Sequence, residues 1–546
     1  MTPPTGGPLP ILVRHFFSRI FDRDSISPQG EPEAGLAQIL GLLATPSAFF
    51  VLLFRLAYLT GWTLVTVRCY FICFSFILMG FLMVFTWNDL LPDRRDYLIL
   101  TPLPLRSRTI LLAKMLALGL LLAVFLTAVN LFGILFWPGL DARPTLFNVI
   151  SSHLLAVVAA GLFAAFALGA IQGLLVTLLS GSALRTASLV VQTVLMGVLV
   201  LLLFVTPILG PLLPDLIKHG NPWAYAFPGY WFVGLYEHLR PATRHPMLLD
   251  LGRVGFQALL ISIAVFFLTY LPGYQRHARA ALESPQPNPK GPGLLRRAFF
   301  SVANRLLFRT PVERAVFHFI SGTITRSSKH RLFLAAYGGL GAALGISTFV
   351  NGKAGLLELP LTLSFILVSG LRAAFNFPAE LRANWAFQLS ETESPHLYLR
   401  ATRKWIFLCA IVPLFLLLAP AEFALFPAHA AAFHLAYGVT LSVLLMDIMF
   451  AGFRKVPFTC AYFPGKVNLT GLAAIYCLGF TAYSSIMAKV ESWLVTEPSA
   501  AAAFFVSAWS LSALLIYGLR SRAALSYDDA PDPAVRTLGL SGVPHE

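Results

Sequence analysis

Charge is scarce in this 546-residue chain, and acid is scarcer than base. Asp, Glu, Lys and Arg together make up 12% of it, with 25 acids against 40 bases, whereas soluble domains carry about 25% charged residues. That shortage excludes an ordinary water-soluble globular protein. Cysteine is scarce too. The five present (Cys69, Cys73, Cys409, Cys460 and Cys477) lie mostly in apolar runs, with no CxxC pair and no metal-ligand spacing. They read as small apolar side chains rather than disulfide partners. The sequence contains no GxxxxGK[ST], no HExxH and no GxSxG. No enzymatic activity, bound cofactor or metal is therefore expected of this chain, and no ATP binding through the usual phosphate loop. The first 35 residues lack a short apolar stretch with a small-residue cleavage site, so no cleavable signal peptide is expected.

Hydrophobic residues make up 57% of the chain and its mean hydropathy is +0.74. Together with the missing charge, this predicts an all-α polytopic membrane protein. Runs of roughly 20 apolar residues are long enough to span a bilayer. In the first half they fall near 36–59, 64–86, 109–137, 148–180, 187–209 and 251–271. In the second they fall near 331–350, 356–376, 405–426, 431–451, 468–488 and 500–519. The expected architecture is about twelve transmembrane helices in two tandem six-helix halves with interfacial and coupling helices. The first run is the weakest, because Thr45-Pro46 and Arg55 interrupt it.

The net charge of +15 would suggest a nucleic-acid partner in a soluble protein. Here it fits the Lys/Arg excess of cytoplasmic loops and attraction to anionic lipid. With the N-terminus inside, interior segments hold 29 Lys/Arg and exterior segments 6. The expectation is a multi-pass protein of the cell's inner (plasma) membrane with both termini cytoplasmic, in contact with lipid and not with nucleic acid.

Composition divides the chain into five parts: a cytoplasmic N-terminus (1–35), a first six-span unit (36–275), a basic proline-rich linker (276–311), an interfacial helix with a second six-span unit (312–520), and a cytoplasmic tail (521–546). Phe16, Phe17, Ile20 and Phe21 alternate with Arg14, Arg19 and Arg23, the pattern of a short helix lying on a membrane surface. Residues 312–331 repeat that pattern before the second unit. Asn88, Pro92, Asp93, Arg94 and Tyr97 find an ordered echo in Asn376, Pro378, Glu380, Arg382 and Trp385, which hints at a tandem duplication.

Polar residues inside the spans are few. Asp447 is the most isolated acid, and its reading is divided between an intramembrane functional carboxylate and an ion pair near the membrane surface. Gln172, Gln192 and Asn130 suit hydrogen bonding between helices better than a substrate path. His429 and His434 sit five apart, poor spacing for a shared metal on a helix, and read as interfacial.

The most informative stretch is Asn88 to Lys114, NDLLPDRRDYLILTPLPLRSRTILLAK. It joins two spans, yet it is amphipathic and carries Asp93, Arg94, Arg95, Asp96, Arg106 and Arg108 around an apolar patch. Those residues predict an interfacial helix presenting a surface to a partner. Leu98, Leu100, Thr101, Pro102 and Leu103, with Ile110, Leu111, Leu112, Ala113 and Lys114, make this loop resemble the cytoplasmic loop after the second span in type-2 ABC transporter permeases. The resemblance implies the membrane-spanning subunit of an ABC exporter, with two six-span units fused in one chain that forms a whole transmembrane unit. It implies that Asp93, Arg94, Arg95, Asp96, Leu98, Leu100, Thr101, Pro102, Arg106 and Arg108 face a separate ABC ATPase subunit, which would bind the ATP. A second coupling loop would use Glu380, Arg382, Trp385, Glu391 and Arg400, although it lacks the Thr-Pro-Leu element. Two other classes stay open: an ion-coupled secondary transporter and, with less in its favour, a polytopic membrane enzyme.

Overall fold

The computed structural model describes residues 8–21, 44–45, 47–49, 51–52, 56, 62–87, 105–136, 146–239, 245–283, 300–305, 307–350, 352–379, 384, 396–453, 455–460 and 469–520. The regular elements among them are helices. Among the described residues ten helices are long and apolar enough to cross a membrane, as expected of a polytopic all-α membrane protein. The chain divides into two compact units, Met1–Pro289 and Lys290–Glu546. Of the further apolar runs in the sequence, 36–59 lies largely outside the described residues. The run at 468–488 is helical, but a π-helical turn interrupts it.

In the first unit a short amphipathic helix, α1 (Pro8–Phe21), precedes five candidate spans: α2 (Leu64–Phe85), α3 (Ser107–Phe136), α4 (Leu146–Leu178), α5 (Gly181–Lys218) and α7 (Pro246–Glu283). Between α5 and α7 lies α6 (Pro228–His238). Helix α2 starts where the Thr63 hydroxyl accepts from the Thr66 N–H at 3.2 Å, a side-chain cap for an otherwise unpaired donor. It is the centre of the unit, packing on α4, α5 and α6. Its polar atoms are used across helices: Ser75 donates to the Val157 carbonyl at 2.8 Å, and Asn130 donates to Ser75 at 3.0 Å. In an apolar surrounding each such bond contributes about 0.6 kcal/mol. Helices α6 and α7 meet backbone to backbone, since a Cβ on Gly234 would lie 2.5 Å from the Gly252 nitrogen.

In the second unit, α8 (Pro311–Arg326) is followed by α9 (Ser328–Val350) and α10 (Lys353–Ala374). Then α11 (His396–Ile406) passes through a π-helical turn, Phe407–Ile411, into α12 (Val412–Leu425). Helix α13 (Ala428–Phe450) leads to α14 (Leu469–Thr481). A second π turn, Ala482–Ile486, joins α14 to α15 (Met487–Leu494), and α16 (Pro498–Arg520) closes the unit.

Three packing relations recur. Helix α1 packs on α3 as α8 packs on α11; α2 packs on α4 as α10 packs on α13; α4 packs on α7 as α13 packs on α16. In each unit the amphipathic helix therefore seats on the first turns of the helix that follows the unit's charged loop.

Candidate coupling surface and buried ionic clusters

Most residues predicted for the first coupling loop lie outside the described residues, namely Asp93, Arg94, Arg95, Asp96, Leu98, Leu100, Thr101 and Pro102. So do Glu380, Arg382, Trp385 and Glu391 of the second loop. Arg106, Arg108 and Arg400 are described. Arg106 and Arg108 are exposed at the start of α3. What the structure describes is how each loop is tied down at its ends.

The first loop leaves α2 through Trp87, which is fully buried. The indole N–H of Trp87 donates to Ser188 at 2.8 Å, and its carbonyl accepts from Gln172 at 2.5 Å. Gln192 donates to the Val84 carbonyl one turn earlier, at 2.9 Å. Both glutamines therefore bond between helices, fixing the exit of α2 against α4 and α5. At the other end, Leu12 and Phe16 of α1 pack against Ala113 and Ala117 of α3, with Leu105 and Ile110 alongside. The small side chains of α3 let α1 come close, so the loop returns to the membrane against a seated helix.

The second loop is tied differently. After α10, His330 bonds the Phe377 carbonyl at 3.1 Å, and the Ala379 N–H donates to the Phe458 carbonyl at 2.9 Å. Asn384 donates to the Thr459 carbonyl at 2.6 Å. Phe458 holds a positive φ of 68°, an uncommon conformation for a bulky residue. Its burial among the rings of Phe319, Phe375 and His330 keeps it there.

The loop re-enters at α11, which is clamped to α8. Thr310 caps α8 by accepting from the Glu313 N–H, Pro311 occupies the first turn, and Glu313 accepts from the Arg309 N–H. This is close to a capping box. Glu313 is also the clamp: Lys404 meets it at 2.7 Å and Arg400 at 3.4 Å. Burial alone would raise the Glu313 carboxyl, but the Lys404 ammonium and the Thr310 and Arg309 backbone hold it below the ordinary carboxylate value. Lys404 donates further to the Leu307 carbonyl, and the Trp405 indole to Ser321 at 2.8 Å. Arg400, predicted to face a partner, thus reaches Glu313 within its own unit while remaining half exposed.

Among the described residues three ionic clusters lie deeper. In the first unit, Arg68 of α2 pairs with Glu237 of α6, and both are buried. The Arg68 guanidinium sits 4.7 Å over the Tyr236 ring. Buried His153 stands edge-on to Phe71 and Tyr236, and neither ring nitrogen has a hydrogen-bond partner among the described residues. In the second unit, Asp447 pairs with Arg403 and accepts from Ser512. Of the two readings of Asp447, the structure shows the ion pair, and the partner is Arg403 of α11. The third cluster corrects the reading of His434. It is 3% exposed, not interfacial. Its Nδ1 bonds Glu491 of α15, and its Nε2 lies 3.6 Å from Glu422 of α12. Glu422 and Glu491 carry no sequence signal beyond being isolated acids at the ends of apolar runs.

Among the described residues no three ligand groups converge in a way that could hold a metal ion. No family model, curated protein or solved structure matches the chain.

Proposed function

We propose that this chain is the membrane-spanning permease of an ATP-driven exporter resembling the type-2 ABC class, and that its cytoplasmic loops couple it to a separate ATPase subunit. The observation that carries the reading is the repeated seating of an amphipathic helix on the helix after each charged loop, α1 on α3 and α8 on α11. A loop held at both ends by buried contacts transmits a push from a partner to the spanning helices, where a loosely attached loop would absorb it. The three recurring packing relations support two tandem units of six spans each. The runs 36–59 and 468–488 then supply the eleventh and twelfth crossings.

Purified alone, the chain is expected to show no ATP turnover above background, and in native membranes to co-purify with a nucleotide-binding subunit. Robust hydrolysis by the isolated chain would overturn the assignment. The same reading puts both termini in the cytoplasm. Single cysteines at Ser284 and Thr243, both outside the described residues, test it in a background without the native five. A membrane-impermeant thiol reagent applied to intact cells is expected to label position 243 and spare 284; the opposite pattern means an inverted topology.

An ion-coupled secondary transporter is the second reading. One observation favours it: Glu422 and Glu491, two acids at the ends of spans, are buried together around one histidine. Intramembrane carboxylates in such proteins bind the driving ion.

A further inference from the structure

Glu422, His434 and Glu491 come from three separate helices and enclose one another with 5%, 3% and 1% exposure. The His434 Nδ1 and a Glu491 oxygen are bonded, and the Glu422 Oε1 faces the His434 Nε2. The second oxygen of each carboxylate, and the His434 Nε2, have no hydrogen-bond partner among the described residues. Among the described residues the cluster contains two acids and one base, with no arginine or lysine. With both carboxylates ionised and the imidazole protonated it still carries a surplus negative charge, and burying an uncompensated charge is strongly unfavourable. Neutrality requires two titratable protons shared among the three groups.

We propose that Glu422, His434 and Glu491 form a proton-binding site whose occupancy sets how firmly α15 is held to α13. When the protons are present, the cluster is a neutral staple, hydrogen-bonded between α13 and α15 with Glu422 of α12 facing the histidine. When they leave, Glu422 and Glu491 repel across the histidine. The staple then opposes the Tyr437 hydroxyl, which donates to the Met487 carbonyl at 2.9 Å and ties the same two helices.

Other ionisable groups on the surrounding elements do not complete the cluster. His429 of α13 and Lys489 of α15 are exposed, and Asp447 is engaged by Arg403 at the other end of α13. Glu358 of α10 is half-buried and makes no ion pair with the three, and Tyr483 is bonded to Ser364. A proton fits better than a metal ion, because the histidine offers its two nitrogens to opposite carboxylates and no three ligand atoms converge. The site does not depend on which energy source drives the chain.

The test compares the full-length chain with Glu422→Gln, which keeps the shape and removes the surplus charge. Melting is followed in detergent micelles between about pH 5 and about pH 8, the range in which imidazole titrates. The wild-type melting temperature is expected to fall over this range by about 3 °C more than that of Glu422→Gln, given that about 1 kcal/mol moves a unit of this size by 2–4 °C. Infrared difference spectra between the two pH values should show a protonated-carboxyl band lost from the wild type and diminished in the variant. His434→Gln, tested beside it, should flatten the profile likewise. Superimposable pH profiles of wild type and Glu422→Gln, with identical carboxyl bands, would overturn the proposal. A rise in wild-type melting temperature on adding zinc at the higher pH, absent from His434→Gln, would overturn it as well and make the site a metal site.

Discussion

Arg68→Ala is expected to cost the chain about 3–5 kcal/mol of stability, the range found when one partner of a buried ion pair is removed. Arg68 and Glu237 are almost fully enclosed, with side chains 4% and 3% exposed. The guanidinium also lies against the Tyr236 ring, so its loss opens space as well as removing a positive charge from beside the Glu237 carboxylate. The pair joins the first turns of α2 to α6, and α6 is otherwise held to α7 by the tight Gly234–Gly252 contact. The expected result is therefore loosening of α6 rather than loss of the whole unit. Thermal melting of the full-length protein in detergent measures the cost, and protease accessibility around 222–238 locates it. The double substitution Arg68→Met with Glu237→Leu should regain most of the loss, because apolar replacements of similar volume often match a buried pair. If Arg68→Ala melts within a degree of wild type, the pair is not a lock on α6.

The second large effect concerns the loop after α2. Replacing Arg94 and Arg95 together with Glu is expected to abolish capture of the proposed ATPase subunit while leaving membrane insertion unchanged. In the proposed complex the two arginines meet acids on the partner, while Leu98 and Leu100 fill an apolar pocket. Reversing both charges sets like against like, a penalty of about several kcal/mol at an interface. The folded unit should tolerate the change, because the loop is anchored by Trp87 at its start and by the α1–α3 contact at its end. A pull-down from native membranes reads the result. Retention of the partner at wild-type levels would reduce the loop to a passive surface helix.

Apolar runs announce spanning helices, and several did so to within a few residues: 148–180 was expected where α4 runs Leu146–Leu178. Length and hydropathy are local properties, so a reading along the chain captures them. Glutamines inside spans are nearly as readable, because an amide in an apolar surrounding has little to do except bond to a neighbouring helix. Pairing at a distance is different. Arg68 and Glu237 are 169 residues apart, and Arg403 and Asp447 are 44 apart. No periodicity connects such positions, so nothing along the sequence marks Arg68 as the partner of Glu237. His434 misled for the same reason: its place near the start of a run suggests an interface, and only the approach of α12 and α15 encloses it. The seating of α1 and α8 was half visible. Their amphipathic pattern predicted helices on a membrane surface, but not that each would choose the helix following the charged loop.

The two π turns have a consequence for how the second unit is compared with anything else. A residue added to an α-helix rotates everything beyond it by about 100°, which would turn a buried face outward. A π turn absorbs the added residue locally, like a dislocation that leaves the crystal intact on both sides. Before Phe407–Ile411, Lys404 and Trp405 keep their hold on α8; after it, Glu422 still points inward. The same holds for Ala482–Ile486, beyond which Glu491 meets His434. Where a related helix lacks the turn, matching it to this one residue against residue calls for a one-position gap inside the helix. Aligned without that gap, such a pair of helices drifts out of phase beyond the turn.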